Sequence, residues 1–154
     1  AIVAVMCLCE VAAFCKKHGK TLWDMMLDTY EKYGYYKESQ YTITLKGIDG
    51  SRQIAEIMDK LRQNPPKAFG ERTVLKFRDY ETDRLVDMVT GEEGKTGLPK
   101  SNVLYFELPD DEWCCARPSG TEPKIKFYMG VKGKDMADAQ ARLEKLTEDL
   151  KAVL

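Results

Sequence analysis

The stretch Trp113–Val131, WCCARPSGTEPKIKFYMGV, reads as two strands joined by a polar turn. Trp113–Ala116 is a short apolar run. After the turn, Ile125, Phe127, Met129 and Val131 alternate with Lys126 and Tyr128. A period of two sends one set of side chains to a core and the other to the opposite face. Between the runs lies Arg117-Pro118-Ser119-Gly120-Thr121-Glu122-Pro123-Lys124, dominated by residues that turn a chain. A short turn between two strands makes them antiparallel neighbours.

Working outward, Val74–Tyr80 and Val103–Leu108 are further strand candidates, and Tyr41, Ile43 and Leu45 alternate with polar residues in the same way. Asp49-Gly50-Ser51 offers a turn and a helix cap. Ile54, Ile57, Met58 and Leu61 then fall on one helical face, and Asn64-Pro65-Pro66 stops that helix. A final helix over about Asp135–Val153 carries Met136, Ala139, Leu143, Leu146, Leu150 and Val153 in steps of three and four. This order predicts an α+β domain: an antiparallel sheet with both helices on one face. Upstream, residues 1–18 read as an apolar helix covered on most sides, with Gly19 as a left-handed cap. Thr21 and Asp24 open a second helix that Gly34 ends. The predicted layout is a helical segment at 1–36, a linker at 37–40 and the α+β domain at 41–154.

The bulk composition fits a soluble globular protein: 154 residues, 44% hydrophobic and 32% charged. A formal net charge of −1 provides no general attraction for nucleic acid or an anionic membrane. The apolar start, Ala1–Cys15, is shorter than the roughly 20 residues that span a bilayer. It lacks a basic leader and contains Glu10, so it suggests a chain that begins inside a larger protein and not a signal peptide. The five cysteines, Cys7, Cys9, Cys15, Cys114 and Cys115, fit neither a disulfide framework nor a paired zinc motif. Buried, reduced thiols in a cytoplasmic protein are expected.

Residues 117–124 carry the chemistry. A phosphate needs donors converging from several directions, and positive charge. Arg117 offers a fork of donors, and Ser119 and Thr121 offer hydroxyls and backbone N–H groups. Gly120 permits unusual dihedrals and close approach of a ligand. Lys124 and Lys126 share one strand face with each other, away from the core. The loop is not a P-loop, because its lysine leads into a strand. From these residues alone, an ordinary turn between strands remains open.

The segment WCCARPSGTEPKIKFY (Trp113–Tyr128) closely resembles the phosphate-binding loop of the α-D-phosphohexomutase superfamily. GLPKSNVLYFEL (Gly97–Leu108) and KKHGKTLWDMMLDTYEKYGYY (Lys16–Tyr36) are similar to its bacterial phosphoglucomutase branch. The resemblance covers nearly the whole chain and implies a C-terminal fragment. Residues 1–36 would be the closing helices of a third, α/β domain, and 41–154 a fourth domain of TATA-binding-protein-like fold. It implies that Arg117, Ser119, Gly120 and Thr121 hold a hexose phosphate substrate, with Lys126 and Lys124 as lesser contributors. It further implies a phosphoserine, Mg²⁺ and a glucose 1,6-bisphosphate intermediate in the complete enzyme. The phosphoserine loop, the Asp-rich metal loop and the Glu-Ser sugar loop are not found in this sequence, so the fragment alone is expected to be inactive. Its implied partners are the remaining domains of the same polypeptide, with no nucleic acid and no membrane.

Two other readings are kept: a phosphomannomutase, and a stand-alone module that binds phosphate or a nucleotide without catalysis. Elsewhere, His18 is expected at a solvated helix end, Trp113 in core or rim packing and Pro109–Glu112 in a solvated hairpin turn. Gly91–Lys95 is expected to be a mobile surface connection.

Overall fold

In the computed structural model, which describes residues 1–45 and 49–154, the chain folds as two units, Ala1–Tyr35 and Tyr36–Leu154. The first holds helices α1 (Ile2–Lys17) and α2 (Leu22–Tyr33). Gly19, at φ 68°, closes α1: its N–H donates to Lys16 O at 3.2 Å, and Lys20 N–H to Cys15 O at 2.9 Å. At the start of α2 the capping is reciprocal. Thr21 N–H donates to the Asp24 carboxylate at 2.7 Å, and Asp24 N–H to Thr21 Oγ1 at 3.1 Å. Gly34 ends the helix at φ 109°.

Only Cys15 of α1 is buried, so the covered helix expected from the sequence is not observed. Ile2, Val3, Val5, Met6, Leu8 and Phe14 are all exposed, because this unit has too few elements to enclose a helix that is apolar all round. All five cysteines are free thiols, but Cys7 and Cys9 are exposed with the rest of α1. No helix among the described residues is long and apolar enough to cross a membrane.

Residues 37–40, expected to be a linker, lie inside the ten-residue strand β1 (Tyr35–Thr44). This strand sits at the sheet edge, where polar side chains are tolerated and even useful, so its first half lacks apolar alternation. The elements that follow are α3 (Gly50–Gln63), β2 (Ala68–Phe69), β3 (Arg72–Thr73), β4 (Lys76–Asp79), β5 (Arg84–Asp87) and β6 (Glu93–Gly94). They are completed by β7 (Leu104–Glu107), β8 (Trp113–Pro118), β9 (Lys124–Gly133) and α4 (Met136–Val153). Among the described residues one sheet has the order β1-β9-β8-β7-β4-β5-β6, and β2-β3 form a separate hairpin. The pairings of β4, β5, β6, β7, β8 and β9 are antiparallel. Along β1, Leu45 N–H bonds to Pro123 O at 3.0 Å, Tyr41 stacks on Phe127, and Tyr36 lies under Lys132. These contacts run in opposite order along the two strands, so β1 is antiparallel to β9.

Helices α3 and α4 cover one face of this sheet, and the α+β architecture is as expected. Ile54, Met58 and Leu61 of α3 and Leu143, Leu146 and Leu150 of α4 meet Phe77, Leu104, Phe106, Ile125, Phe127 and Met129 in one core. Each such fully buried side chain contributes about 1.5–3 kcal/mol. Helix α4 starts where the Asp135 carboxylate accepts Asp138 N–H at 2.8 Å. At α3, Asp49 occupies the cap position but its side chain makes no capping bond.

The acidic run Pro109–Glu112 is only partly the solvated turn that was expected. Asp110 and Asp111 have φ of 60° and 61°, and Glu112 N–H returns to Pro109 O at 3.1 Å, the geometry of a tight hairpin turn. Glu112, however, is 2% exposed. It pairs with Arg72 and with Arg142, the latter at 3.1 Å, while Arg72 also reaches Asp149 at 3.0 Å. This satisfied network ties the β2-β3 hairpin, the β7-β8 turn and α4 together. Removing one partner would leave a buried charge uncompensated.

The segment Gly91–Lys95 is also more structured than a plain surface loop. Glu93 and Gly94 pair with β5, Asp87 accepts from the N–H groups of Val89 and Thr90, and Asp83 accepts from Thr96 Oγ1 and Gly97 N–H. The Thr96 hydroxyl bond, foremost, holds the Asp83 carboxyl below its usual range, and the Thr90 N–H does the same for Asp87.

Helix α4 packs against the end of β9 at Gly133, where a Cβ would sit 2.7 Å from Ala139 Cα. Gly133→Ala therefore forces backbone apart. We expect a loss of roughly 1–3 kcal/mol in urea unfolding, in line with other overpacked cores. An unchanged midpoint would mean that this contact is not tight.

Candidate functional site

The β8-β9 register builds the site. Arg117 pairs with Lys126 and Cys115 with Tyr128, so these four side chains share the sheet face opposite the helices. Their neighbours Cys114, Ala116, Ile125 and Phe127 are buried in the core. Burial therefore fixes which way Arg117 and Lys126 point: a one-residue slip would turn them inward.

The loop between the strands is organised by Ser119. Its N–H donates to Lys124 O at 2.8 Å, and its Oγ accepts from Glu122 N–H at 3.3 Å and Thr121 N–H at 3.5 Å. The Ser119 N–H is thus committed to the loop, whereas its hydroxyl proton remains available to a ligand. Arg117, Pro118, Ser119, Gly120, Lys126 and Tyr128 line a cavity of about 190 Å³. One water's share of liquid volume is ~30 Å³, so there is room for a compact anion and more.

Of the candidate residues, Arg117, Ser119, Gly120 and Lys126 come together in this cavity. Thr121 is exposed on the adjoining turn and is not part of the lining. Lys124 is not part of it either, because its ammonium pairs with Glu122 at 3.0 Å. That pairing also directs the Glu122 carboxylate to Lys124. Gly120 differs from the reading of its conformation: it is not among the glycines with positive φ. Its ideal Cβ would meet nothing within 4 Å, so the missing side chain leaves open space and relieves no strain. Tyr128 belongs to the lining and was not among the candidates, although the alternation that places Lys126 on this face places Tyr128 there too.

The charge pattern is unusual. Two cations directly opposite each other on paired strands repel. Elsewhere in the chain Arg52, Arg62, Arg72, Arg78, Arg84 and Arg142 each have a carboxylate partner. Among the described residues no carboxylate pairs with Arg117 or Lys126. Beside them on the same face, burial pushes the Cys115 thiol up to about 11, against a weaker opposing pull from Arg117, so it stays neutral at physiological pH. The cavity is therefore built from donors and positive charge with no internal counter-ion, which suits an oxyanion.

The other singled-out residues are structural. His18 is exposed at the end of α1, and its Nδ1–H donates to Phe14 O at 2.8 Å. Trp113 stacks on Tyr105 with ring centroids 5.8 Å apart, a packing role. No group of three or more His, Cys, Asp or Glu among the described residues is placed to hold a metal ion.

No protein-family model matches the chain. Over 146 residues, 95% of its length, it is 32% identical to phosphoglucomutases of Staphylococcus aureus strains RF122 and MRSA252. It spans 26% of the length of these curated relatives. Among solved structures it is similar to the open form of the exocytosis-sensitive phosphoprotein pp63/parafusin, a phosphoglucomutase from Paramecium. That likeness has a TM-score of 0.50 at 14% identity and covers 97% of this chain and 26% of the other, and it supports the fold alone. By sequence, the chain is homologous to a segment of phosphoglucomutases.

Because Gly120 faces open space outside the positive-φ range, Gly120→Ala should leave the urea midpoint undiminished. The added methyl would occupy cavity-side space, so binding of inorganic phosphate, followed by NMR titration, should weaken. A variant that loses stability and keeps its phosphate affinity would make the glycine structural.

Proposed function

We propose that this chain is the substrate-phosphate-holding part of a larger phosphoglucomutase-type isomerase that interconverts glucose 1-phosphate and glucose 6-phosphate. One observation carries the reading. Arg117, alone among the chain's arginines, has no carboxylate partner among the described residues, and with its cross-strand neighbour Lys126 it lines a cavity shared with Ser119 and Gly120. The homology to phosphoglucomutases supplies the reaction class.

In this reading the chain's residues bind and orient; they do not transfer phosphoryl groups. Arg117 presents a planar fork to two phosphate oxygens, and Lys126 adds a point charge. The Ser119 hydroxyl and the Gly120 N–H add donors from the loop, and Thr121 adds its hydroxyl from the turn. Together they hold the phosphate that is not reacting while the other end of the sugar meets a phosphoserine. The free sugar hydroxyl takes the phosphoryl group from the phosphoserine, the resulting glucose 1,6-bisphosphate turns over, the same donors receive the newly added phosphate, and the other phosphoryl group returns to the serine. Donors aimed at a phosphate from several directions suit both orientations, because a phosphate looks the same at either end of the sugar.

The phosphoserine and Mg²⁺ are supplied by the remaining domains of the same polypeptide, and the chain alone is inactive. The complete protein acts in the cytoplasm. Closure of those domains over the site excludes the water that would otherwise intercept the phosphoryl group.

In the natural-length enzyme, Arg117→Ala should lower kcat/KM by about 10- to 150-fold. This corresponds to loss of a charge-assisted hydrogen bond of roughly 1.5–3 kcal/mol. Steady-state kinetics with glucose 1-phosphate measures it, and unchanged kinetics would remove Arg117 from the site.

A further inference from the structure

On the open face of the central strands β7, β8 and β9 stand the aromatic side chains of Tyr105, Trp113 and Tyr128. Two of them are engaged with each other. Tyr105 and Trp113 stack at an interplanar angle of 15°, and Arg78 lies over Tyr105 at 5.2 Å from the ring centroid. Trp113 lies across Gly130, where a Cβ would come 2.9 Å from its Cζ2. The missing side chain at Gly130 is what lets the indole lie flat. Tyr128 takes no part in this stack and lines the anion cavity beside Lys126 and Arg117.

We propose that Tyr128 is a further ligand-contacting residue of this cavity, its phenol O–H donating to an oxygen of the phosphoryl group held by Arg117 and Lys126. The proposal rests on the phosphate reading of the site given above. Register and burial carry it. Lys126 and Tyr128 are two apart on β9 and share a face, and core burial of Ile125, Phe127 and Met129 leaves them no other orientation. Among the described residues the Tyr128 hydroxyl makes no hydrogen bond. Among the described residues no side-chain polar atom is buried without a partner, so the phenol is open to solvent where it lines the cavity.

The chemistry fits. Arginine covers the oxygens in one guanidinium plane and lysine acts as a point charge, whereas a tetrahedral phosphate presents oxygens in other directions. A phenol supplies a single directional donor from the strand. Its cross-strand neighbour Cys115 is a neutral thiol at physiological pH and so does not compete as an anion for the O–H. The aromatic ring also adds an apolar wall to a cavity otherwise lined by polar groups and Pro118.

The test uses the natural-length protein with inorganic phosphate as the probe, titrated by calorimetry against wild type, Tyr128→Phe and Arg117→Ala. Phenylalanine keeps the ring and removes only the hydroxyl, so the fold is retained. The expected result is a Kd raised about 10-fold or more in Tyr128→Phe, with unchanged thermal stability. A Kd within twofold of wild type in Tyr128→Phe, while Arg117→Ala binds more weakly, would overturn the role of Tyr128 and leave the phosphate site standing. If neither variant changes the affinity, or wild type binds no phosphate, both the site and the role of Tyr128 are overturned.

Discussion

The pairing of β8 with β9 is the constraint on which the rest of the site depends. Six consecutive pairs, from Trp113↔Gly130 to Pro118↔Ile125, lock the two strands together. Because alternate residues are buried under α3 and α4, this register cannot slip without exposing Ile125, Phe127 and Met129 and burying Arg117 and Lys126. The hydrophobic core thus does more than stabilise the unit. It pays for holding two like charges opposite each other on the far face, an arrangement with no local reward in the unliganded chain.

Polar interactions are distributed in a complementary way. Where the fold needs charge inside, each group is matched: Asp79 accepts from Arg62, Thr82 and the Glu81 N–H, and Glu112 sits between Arg72 and Arg142. Such matching ties distant segments together at low net gain, since desolvation offsets most of the attraction. At the cavity the matching stops. Arg117 and Lys126 are left without carboxylates among the described residues, and the serine that orders the loop keeps its hydroxyl proton to donate. On the proposed reading, an anion supplied from outside would complete there what Glu112 completes inside.

Strands β4, β7 and β9 were legible because each alternates side chains across a half-buried sheet, and β8 because Trp113–Ala116 is a short apolar run that ends at a turn. The first half of β1 was not, since an edge strand such as Tyr36–Gln40 has no need of an apolar face. Strands β2, β3 and β6 are two residues long, too short for any periodicity to register. The burial of Glu112 was invisible for another reason: its partners Arg72 and Arg142 lie 40 and 30 residues away, and nothing local distinguishes it from Asp110 or Asp111. At the site, composition suggested Arg117, Ser119, Gly120 and Lys126 together. It could not show that Glu122 would divert Lys124, because that pairing depends on how the loop folds. Nor could it show that Gly120 lies outside the positive-φ range with open space beside it.

The central claim is that the loop between β8 and β9 grips a phosphate. An amide NMR titration with glucose 1-phosphate, using plain glucose as the control, tests it most directly. The account predicts saturable shifts at Ser119, Gly120 and Thr121 with the phosphorylated sugar and none with glucose. Equal shifts with both sugars, or no shifts with either up to tens of millimolar, would contradict it.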